Sequence, residues 1–540
     1  MTPAEPIPFR RWGLTAVAKW DQLCTWRWRR HALLAAIMLG ALALRLTDRH
    51  TWYWIDEGLS LGISDRSPAA IWRVLRQDGS PPLYYLILSG WTRVFGASPA
   101  ATHLLSTIFA LGCIPAALLV TWRAARNERA AWIAAALSAT IPYLEAYANE
   151  TRMYSLVALE TFVLVGGIVE ILRGATRRGQ VITAVSTAAL LYTHSWSLYL
   201  LAGLAVAGVG VLWLTPRSTR LTLARAVAAA VAVGAVTFVP WVPTLLGQAS
   251  DTGAPWSATP GLRELVNTVA AAVGDERALV VLALVGGTGL VRWLAPGDRL
   301  VARWCVLFGA LATVPLLLAW IASHIQPQWA LRYLAVIVAP LVILAGIGLA
   351  RAGNQGLVAT LVLLSLWVHP FGRLTGRVSA LPRSAKSNVT HLAHETQRRF
   401  GPAEPSDTIV VTHPEQLPLV AREFGNGYRV ANEFGVPADD GVFDWRNVVE
   451  RLSATDPATS LKPLLDSIEP ERYLVLLQPQ LPDPLPDPLP EWLSLFKTKA
   501  IEWKTFVDAD RRFSLRATYG KVAQPANRTP LTAYVYQRQG

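Results

Sequence analysis

The sequence is poor in charge, cysteine and methionine, and each shortage narrows what the chain can be. Only 16% of its 540 residues are Asp, Glu, Lys or Arg, against 52% hydrophobic. Soluble domains carry about a quarter charged residues, so an ordinary cytosolic enzyme is a poor fit. Intrinsic disorder needs low hydrophobicity and dense charge, and is ruled out. Three cysteines, Cys24, Cys113 and Cys305, lie too far apart to supply a disulfide framework or a zinc cage. A net charge of +13 would suit nucleic acid, but in so apolar a chain it marks Lys and Arg retained on cytoplasmic loops. No nucleic-acid partner is expected. Internal repeats and heptads are also lacking, and the one biased patch is the Pro-rich run 481–490, which reads as a stiff spacer.

Apolar stretches are what the sequence has in plenty. They recur from about residue 31 to about residue 370, most near the ~20 residues that a membrane-spanning helix requires, and stop after about 380. The expectation is a mainly α polytopic membrane protein in three parts. Residues 1–30 form a basic cytoplasmic segment, residues 31–375 a transmembrane domain, and residues 380–540 a soluble α/β domain of ordinary size.

Charge sets the topology. Arg27-Trp28-Arg29-Arg30-His31 suits a cytoplasmic interface, so the first helix, about 32–47, runs outward. Ala41-Leu42-Ala43 also resembles a signal-peptide cleavage box, although an uncleaved anchor fits better. Basic connectors at 123–129, 173–178, 217–225, 292–303 and Arg351 alternate with connectors holding acids, aromatics and histidine. Residues 83–96 are too short to span and read as an interfacial helix closing a large first outer loop, 49–102. With the basic loops inside, the scheme closes on about 11 spans, with the C-terminal domain outside the cell membrane.

The outer connectors carry the residues capable of chemistry. The first holds Trp52-Tyr53-Trp54-Ile55-Asp56-Glu57 and then Asp78-Gly79-Ser80-Pro81-Pro82-Leu83-Tyr84-Tyr85. Carboxylates near a membrane boundary gain basicity and suit general-base work; a solvated helix cap explains the same pair. Glu150-Thr151-Arg152-Met153-Tyr154 offers a guanidinium fork for phosphate, or an ordinary ion pair. His194, before Trp196 and Tyr199, is either a ligand or a hydrogen-bonded interfacial histidine. Arg332, in Gln326-Pro327-Gln328-Trp329-Ala330-Leu331-Arg332-Tyr333, faces a polar cavity or snorkels to the interface. Gathered on one side of the membrane, these groups are the inventory of a site for a sugar and a phosphate.

The order Asp56-Glu57, Asp78 before Ser80-Pro81-Pro82-Leu83-Tyr84-Tyr85, Arg152-Met153-Tyr154, then Pro327 and Arg332-Tyr333 resembles the bacterial C-type glycosyltransferases. These include the protein O-mannosyltransferases and the lipid A aminoarabinose transferases, and the resemblance spans roughly residues 52–340. Many relatives have His before Pro-Pro where this chain has Ser80, so a role for that His does not transfer. The resemblance implies a membrane transferase that takes sugar from a polyprenyl-phosphate donor to a glycan, lipid or protein hydroxyl, by an inverting displacement. Asp56 matches the family's catalytic acid position and is expected to accept the acceptor's proton. Arg152 or Arg332 would stabilise the departing phosphate. Glu57 and Asp78 would orient the acceptor or bind a divalent ion, and Tyr84, Tyr85, Glu150, Tyr154, His194 and Tyr333 would line the substrate site. No compact ligand motif demands a metal, and no cofactor is required.

In the C-terminal part, 408–411, 472–477, 512–518 and 531–537 read as strands, and 414–424 as helical. Residues 444–452 read as an amphipathic helix capped by Asp444. Val411-Thr412-His413-Pro414 lacks the glycines of a phosphate loop, which disfavours nucleotide binding. This domain is expected to bind acceptor, to pack over the active-site loops, or to serve as a structural cap. Asn388-Val389-Thr390 matches a glycosylation sequon of a kind that arises often by chance. A transporter or flippase is the competing reading, but acids inside the spans are few, Glu145 and Glu160, and no paired halves are evident.

Overall fold

The computed structural model describes residues 9–46, 51–291, 299–368, 387–481, 490–521 and 529–540. Helix α1, Phe9–Leu46, is one continuous helix, longer than the 32–47 expected because no proline interrupts residues 9–46. The connector 49–102, expected to close on a short helix over 83–96, holds three short helices among its described residues: α2 (Ile55–Ser64), α3 (Pro68–Val74) and α4 (Leu83–Phe95). At 13 residues, α4 is too short to cross a bilayer.

The bundle continues with α5 (Pro99–Ala125), α6 (Glu128–Thr140), α7 (Pro142–Ala148), α8 (Tyr154–Gly174), α9 (Arg177–Thr193), α10 (Ser197–Trp213) and α11 (Arg217–Val236). It closes with α12 (Val242–Asp251), α13 (Leu262–Ala272), α14 (Glu276–Val281), α15 (Gly287–Val291), α16 (Arg299–Ala322), α17 (Ala335–Arg351) and α18 (Asn354–Trp367). Caps written into the sequence start many of them. Ser98 Oγ accepts from Ala101 N at 3.3 Å ahead of Pro99, and Asn127 Oδ1 accepts from Ala130 N at 3.0 Å.

Five of the described helical stretches are long and apolar enough to cross a membrane: Pro99–Ala125, Tyr154–Gly174, Arg217–Val236, Ala302–Ala322 and Leu331–Arg351. The helices Ser197–Trp213 and Asn354–Trp367 are apolar but shorter. Small residues let the helices approach closely: a Cβ on Gly346 would lie 2.8 Å from that of Ala134, and one on Gly289 only 1.9 Å from Gly348 O. Outward faces carry Val206, Val209, Val233, Leu317, Ile321 and Leu361, all exposed, as a multi-pass membrane protein requires. The basic connectors meet at one end of the bundle. There Arg173 Nη1 donates to Arg123 O at 2.7 Å, and Arg129 Nη2 to Gly353 O at 2.5 Å.

After residue 387 the chain forms a five-stranded sheet in the order β2-β1-β3-β5-β4. The strands are β1 (Thr408–Val411), β2 (Arg429–Ala431), β3 (Tyr473–Pro479), β4 (Phe513–Tyr519) and β5 (Leu531–Arg538). β2, β1 and β3 run parallel, while β5 and β4 are antiparallel additions. Strand residues alternate between two buried faces. Ile409 and Val411 pack with Val389, Leu392 and Leu417, whereas Val410, Leu474 and Leu476 pack with Leu465, Trp503 and Val507.

Two sequence expectations are corrected here. The helix expected over 444–452 begins only at Val448 and runs to Ser453. Asp444 does not cap it, because its carboxylate accepts from Arg446 N at 3.0 Å and from the Arg446 guanidinium. The Asn388 amide is held inside the domain, donating to Leu531 O at 2.7 Å and accepting from Leu531 N at 2.9 Å. Most of the Pro-rich run, residues 482–489, lies outside the described residues.

Candidate active site

At the other end of the bundle, α2 sets two adjacent carboxylates in its first turn, where the helix dipole favours negative charge. They point apart. Glu57 is fully buried: Oε1 lies 2.6 Å from His103 Nε2 on α5 and accepts from Thr151 N at 2.7 Å, while Oε2 accepts from Trp54 N at 3.3 Å. Asp56 faces the other way. Its Oδ2 lies 3.8 Å from Arg152 Nε and 3.7 Å from Arg332 Nη1, and among the described residues it accepts no hydrogen bond.

Arg152 ties the connectors together. Nη1 donates to Ser60 Oγ at 3.0 Å, Asp56 O at 3.3 Å and Tyr85 Oη at 3.5 Å, and Nη2 reaches Tyr154 Oη at 3.5 Å. Tyr85 Oη in turn donates to Asp78 Oδ2 at 3.5 Å. Burial pushes the Asp78 carboxyl up, and Arg152 opposes that shift. Tyr84 is fully buried beneath this group, and Glu150 is buried with its backbone carbonyl accepting from Ser106 Oγ at 2.5 Å.

Arg332 sits in an aromatic recess. Its guanidinium lies 4.2 Å from the Trp256 ring centre and 5.4 Å from that of Tyr333. Its carbonyl accepts from Tyr143 Oη. Tyr333 meets His194 at 4.9 Å and Trp196 at 5.2 Å between ring centres, and Tyr154 meets His194 at 6.0 Å. His194 Nδ1 accepts from Trp196 N at 3.1 Å. Burial, with Arg152 and Arg332 nearby, pushes the His194 imidazole down to about 3, so it is neutral at physiological pH.

Residues from the sheet-bearing part of the chain close over α2. A Cβ on Gly58 would stand 2.7 Å from Leu419 Cβ, and one on Gly62 only 1.8 Å from Gly441 O. Glycine is therefore required on this face of the helix. Around it, Trp54, Ile55 and Leu59 pack with Phe443, Trp445 and Trp492. Arg66 Nη2 pairs with Asp439 Oδ1 at 2.5 Å, and Trp445 N donates to Gln77 O at 3.0 Å. The turn after β1 brings Glu415 to the same place. Burial and then Asp56 push its carboxyl up to about 8, with Trp492 and Arg332 opposing.

The structure thus brings Asp56, Asp78, Tyr85, Arg152, Tyr154, His194, Arg332 and Tyr333 into one connected cluster. Glu57 and Tyr84 lie in the packing beneath it. Sequence reasoning missed Ser60, His103, Trp256 and Glu415, none of which stands in a recognisable motif. Among the described residues no group of three His, Cys, Asp or Glu is arranged to hold a metal ion.

The same arrangement of chain is found in two solved structures of ArnT from Cupriavidus metallidurans. The apo form has a TM-score of 0.59 at 14% identity, covering 94% of this chain and 98% of that one. The form bound to undecaprenyl phosphate has a TM-score of 0.57 at 13% identity, covering 93% and 97%. At such identity the likeness is one of fold alone. No family model matches the sequence, and no curated protein does.

Proposed function

We propose that the protein is an integral-membrane glycosyltransferase that moves a hexose or pentose from a polyprenyl-phosphate donor to a hydroxyl of a glycan, lipid or protein. The observation that carries this reading is Asp56 Oδ2, free of hydrogen bonds among the described residues and flanked at 3.7 and 3.8 Å by two guanidinium groups. Two arginines and one carboxylate leave one net positive charge, which matches one anionic phosphodiester. The fold is shared with a protein whose structure holds undecaprenyl phosphate.

In this reading Asp56 takes the proton of the acceptor hydroxyl as its oxygen attacks the anomeric carbon. The bond from that carbon to the phosphate oxygen breaks, and its electron pair leaves on the polyprenyl phosphate. Attack opposite the leaving group inverts the centre. Arg152 and Arg332 stabilise the charge as it builds on the phosphate; one such donor contributes about 3 to 4 kcal/mol of barrier lowering. Trp256 and Tyr333, both partly exposed, supply faces for the sugar. Glu57 acts as a positioning residue, fixing α2 through His103 and Thr151.

In this reading eleven spans cross the membrane: α1, α5, α6 together with α7, α8, α9, α10, α11, the segment 276–291, α16, α17 and α18. The basic connectors then face the cytoplasm of a cell membrane. The site and the domain from residue 387 onward lie on the far side, where lipid-borne donors replace sugar nucleotides. The test is mass spectrometry of extracted lipid-linked sugars and envelope glycans with the gene present and deleted. One polyprenyl-phosphate sugar should accumulate on deletion, with loss of one envelope modification; an unchanged pool overturns the reading.

A further inference from the structure

One carboxyl at this site belongs to neither the membrane bundle nor the sequence motifs. Glu415 lies in the short turn Pro414–Gln416, just past the C-terminal end of β1, the end of parallel strands where α/β folds bind ligands. The helix that follows presses Leu419 against Gly58, two residues from Asp56. The Glu415 side chain is 11% exposed and that of Asp56 15%, so each keeps an exposed edge although Asp56 Oδ2 itself is covered.

We propose that Glu415 is an acceptor-binding residue of the transfer site, hydrogen-bonding a hydroxyl of the incoming acceptor beside Asp56, so that the C-terminal domain supplies a substrate contact as well as a cover. This rests on the glycosyl-transfer reading. The groups facing Glu415 are Asp56 on α2, Arg332 ahead of α17, His413 with Nε2 at 3.4 Å, and Trp492 on the helix Glu491–Ala509. His413 is held neutral, its imidazole pushed down to about 3 by burial, so it adds no charge. With its carboxyl raised to about 8, Glu415 carries its proton at neutral pH. It can then donate to an acceptor oxygen while Asp56, between two arginines, takes the reacting proton. Ionised, Glu415 would set a second negative charge beside Asp56 and lose its donor.

The test uses the full chain in lipid nanodiscs. The donor is the polyprenyl-phosphate sugar that accumulates in the deletion strain, and the acceptor is envelope from that strain. Glu415→Ala is expected to raise the envelope concentration for half-maximal transfer about tenfold, the size of one lost neutral hydrogen bond. Binding of undecaprenyl phosphate should stay within about twofold of the parent on the same reasoning. Glu415→Gln, which still donates, should restore most of the loss. It should also remove the rise in half-saturation expected of the parent between pH 7 and 9. Unchanged half-saturation in Glu415→Ala, or an equal loss of undecaprenyl phosphate binding, overturns the proposal while leaving the transferase reading intact. A parent protein that neither transfers the sugar nor binds undecaprenyl phosphate overturns both.

Discussion

Glu57 Oε1 lies 2.6 Å from His103 Nε2, both side chains fully shielded from solvent, and the pair pins the first turn of α2 to the start of α5. Neighbouring residues on a helix point about 100° apart, so anchoring Glu57 inward turns Asp56 toward Arg152 and Arg332. Glu57→Ala removes the carboxylate oxygen that the Thr151 N–H and His103 Nε2 meet. The expected cost is about 1 to 3 kcal/mol of stability per unsatisfied group, read as a lower thermal midpoint, together with slower turnover. A midpoint equal to the parent's would remove Glu57 from the scaffold.

Asp56→Asn keeps the size of the side chain and removes its basicity. Transfer is expected to fall by a factor of about 100 to 10,000, the usual worth of a general base, while undecaprenyl phosphate still binds. Turnover equal to the parent's would take Asp56 out of the chemistry.

Arg332→Ala removes one of the two cations beside Asp56 and empties the recess under Trp256. Transfer should drop about 100- to 1,000-fold, and undecaprenyl phosphate should bind more weakly at low salt. A variant that loses neither identifies a different phosphate site.

Gly58→Ala and Gly62→Ala introduce a methyl group against Leu419 and Gly441 O. Overpacking of this kind costs about 1 to 3 kcal/mol. Because a backbone carbonyl cannot rotate away, Gly62→Ala should be the worse of the two. Limited proteolysis of the variants should release the C-terminal domain faster than in the parent; equal rates would mean that this contact does not hold the domain down.

His194 and His413 are both pushed down to about 3, below the unfolded value of about 6.5. Between those values the unfolded chain binds protons that the folded chain refuses. The stability these residues give is therefore complete above pH 6.5 and is lost as pH falls toward 3, by up to about 1.4 kcal/mol per pH unit for each. Replacing both by Gln should flatten the fall in thermal midpoint between pH 6.5 and 4.5. An unchanged slope would assign acid sensitivity to other groups.

Patterning made part of this legible before any coordinates. The apolar runs marked out the helical bundle, and β1 and β3 stand out as uninterrupted aliphatic stretches. The polar clusters around Asp56, Arg152 and Arg332 were visible because such residues are rare in so apolar a chain. What escaped notice depends on contacts between distant positions. β2 is three residues long and has no period to detect. Trp256 lies in a connector without a motif, and gains meaning only under Arg332. Glu57 reads as a twin of Asp56 until His103 is seen beside it. Glu415 belongs to a domain with no motif of its own, and only the contact of Leu419 with Gly58 shows where it goes.

That contact also fixes an order of events. The helix bearing Asp56 leaves the ribosome some 360 residues before Leu419 and Gly441, the groups that complete its packing. The packing around Asp56 is therefore finished last, and a nascent chain halted before Leu419 holds α2 by its bundle-side contacts alone.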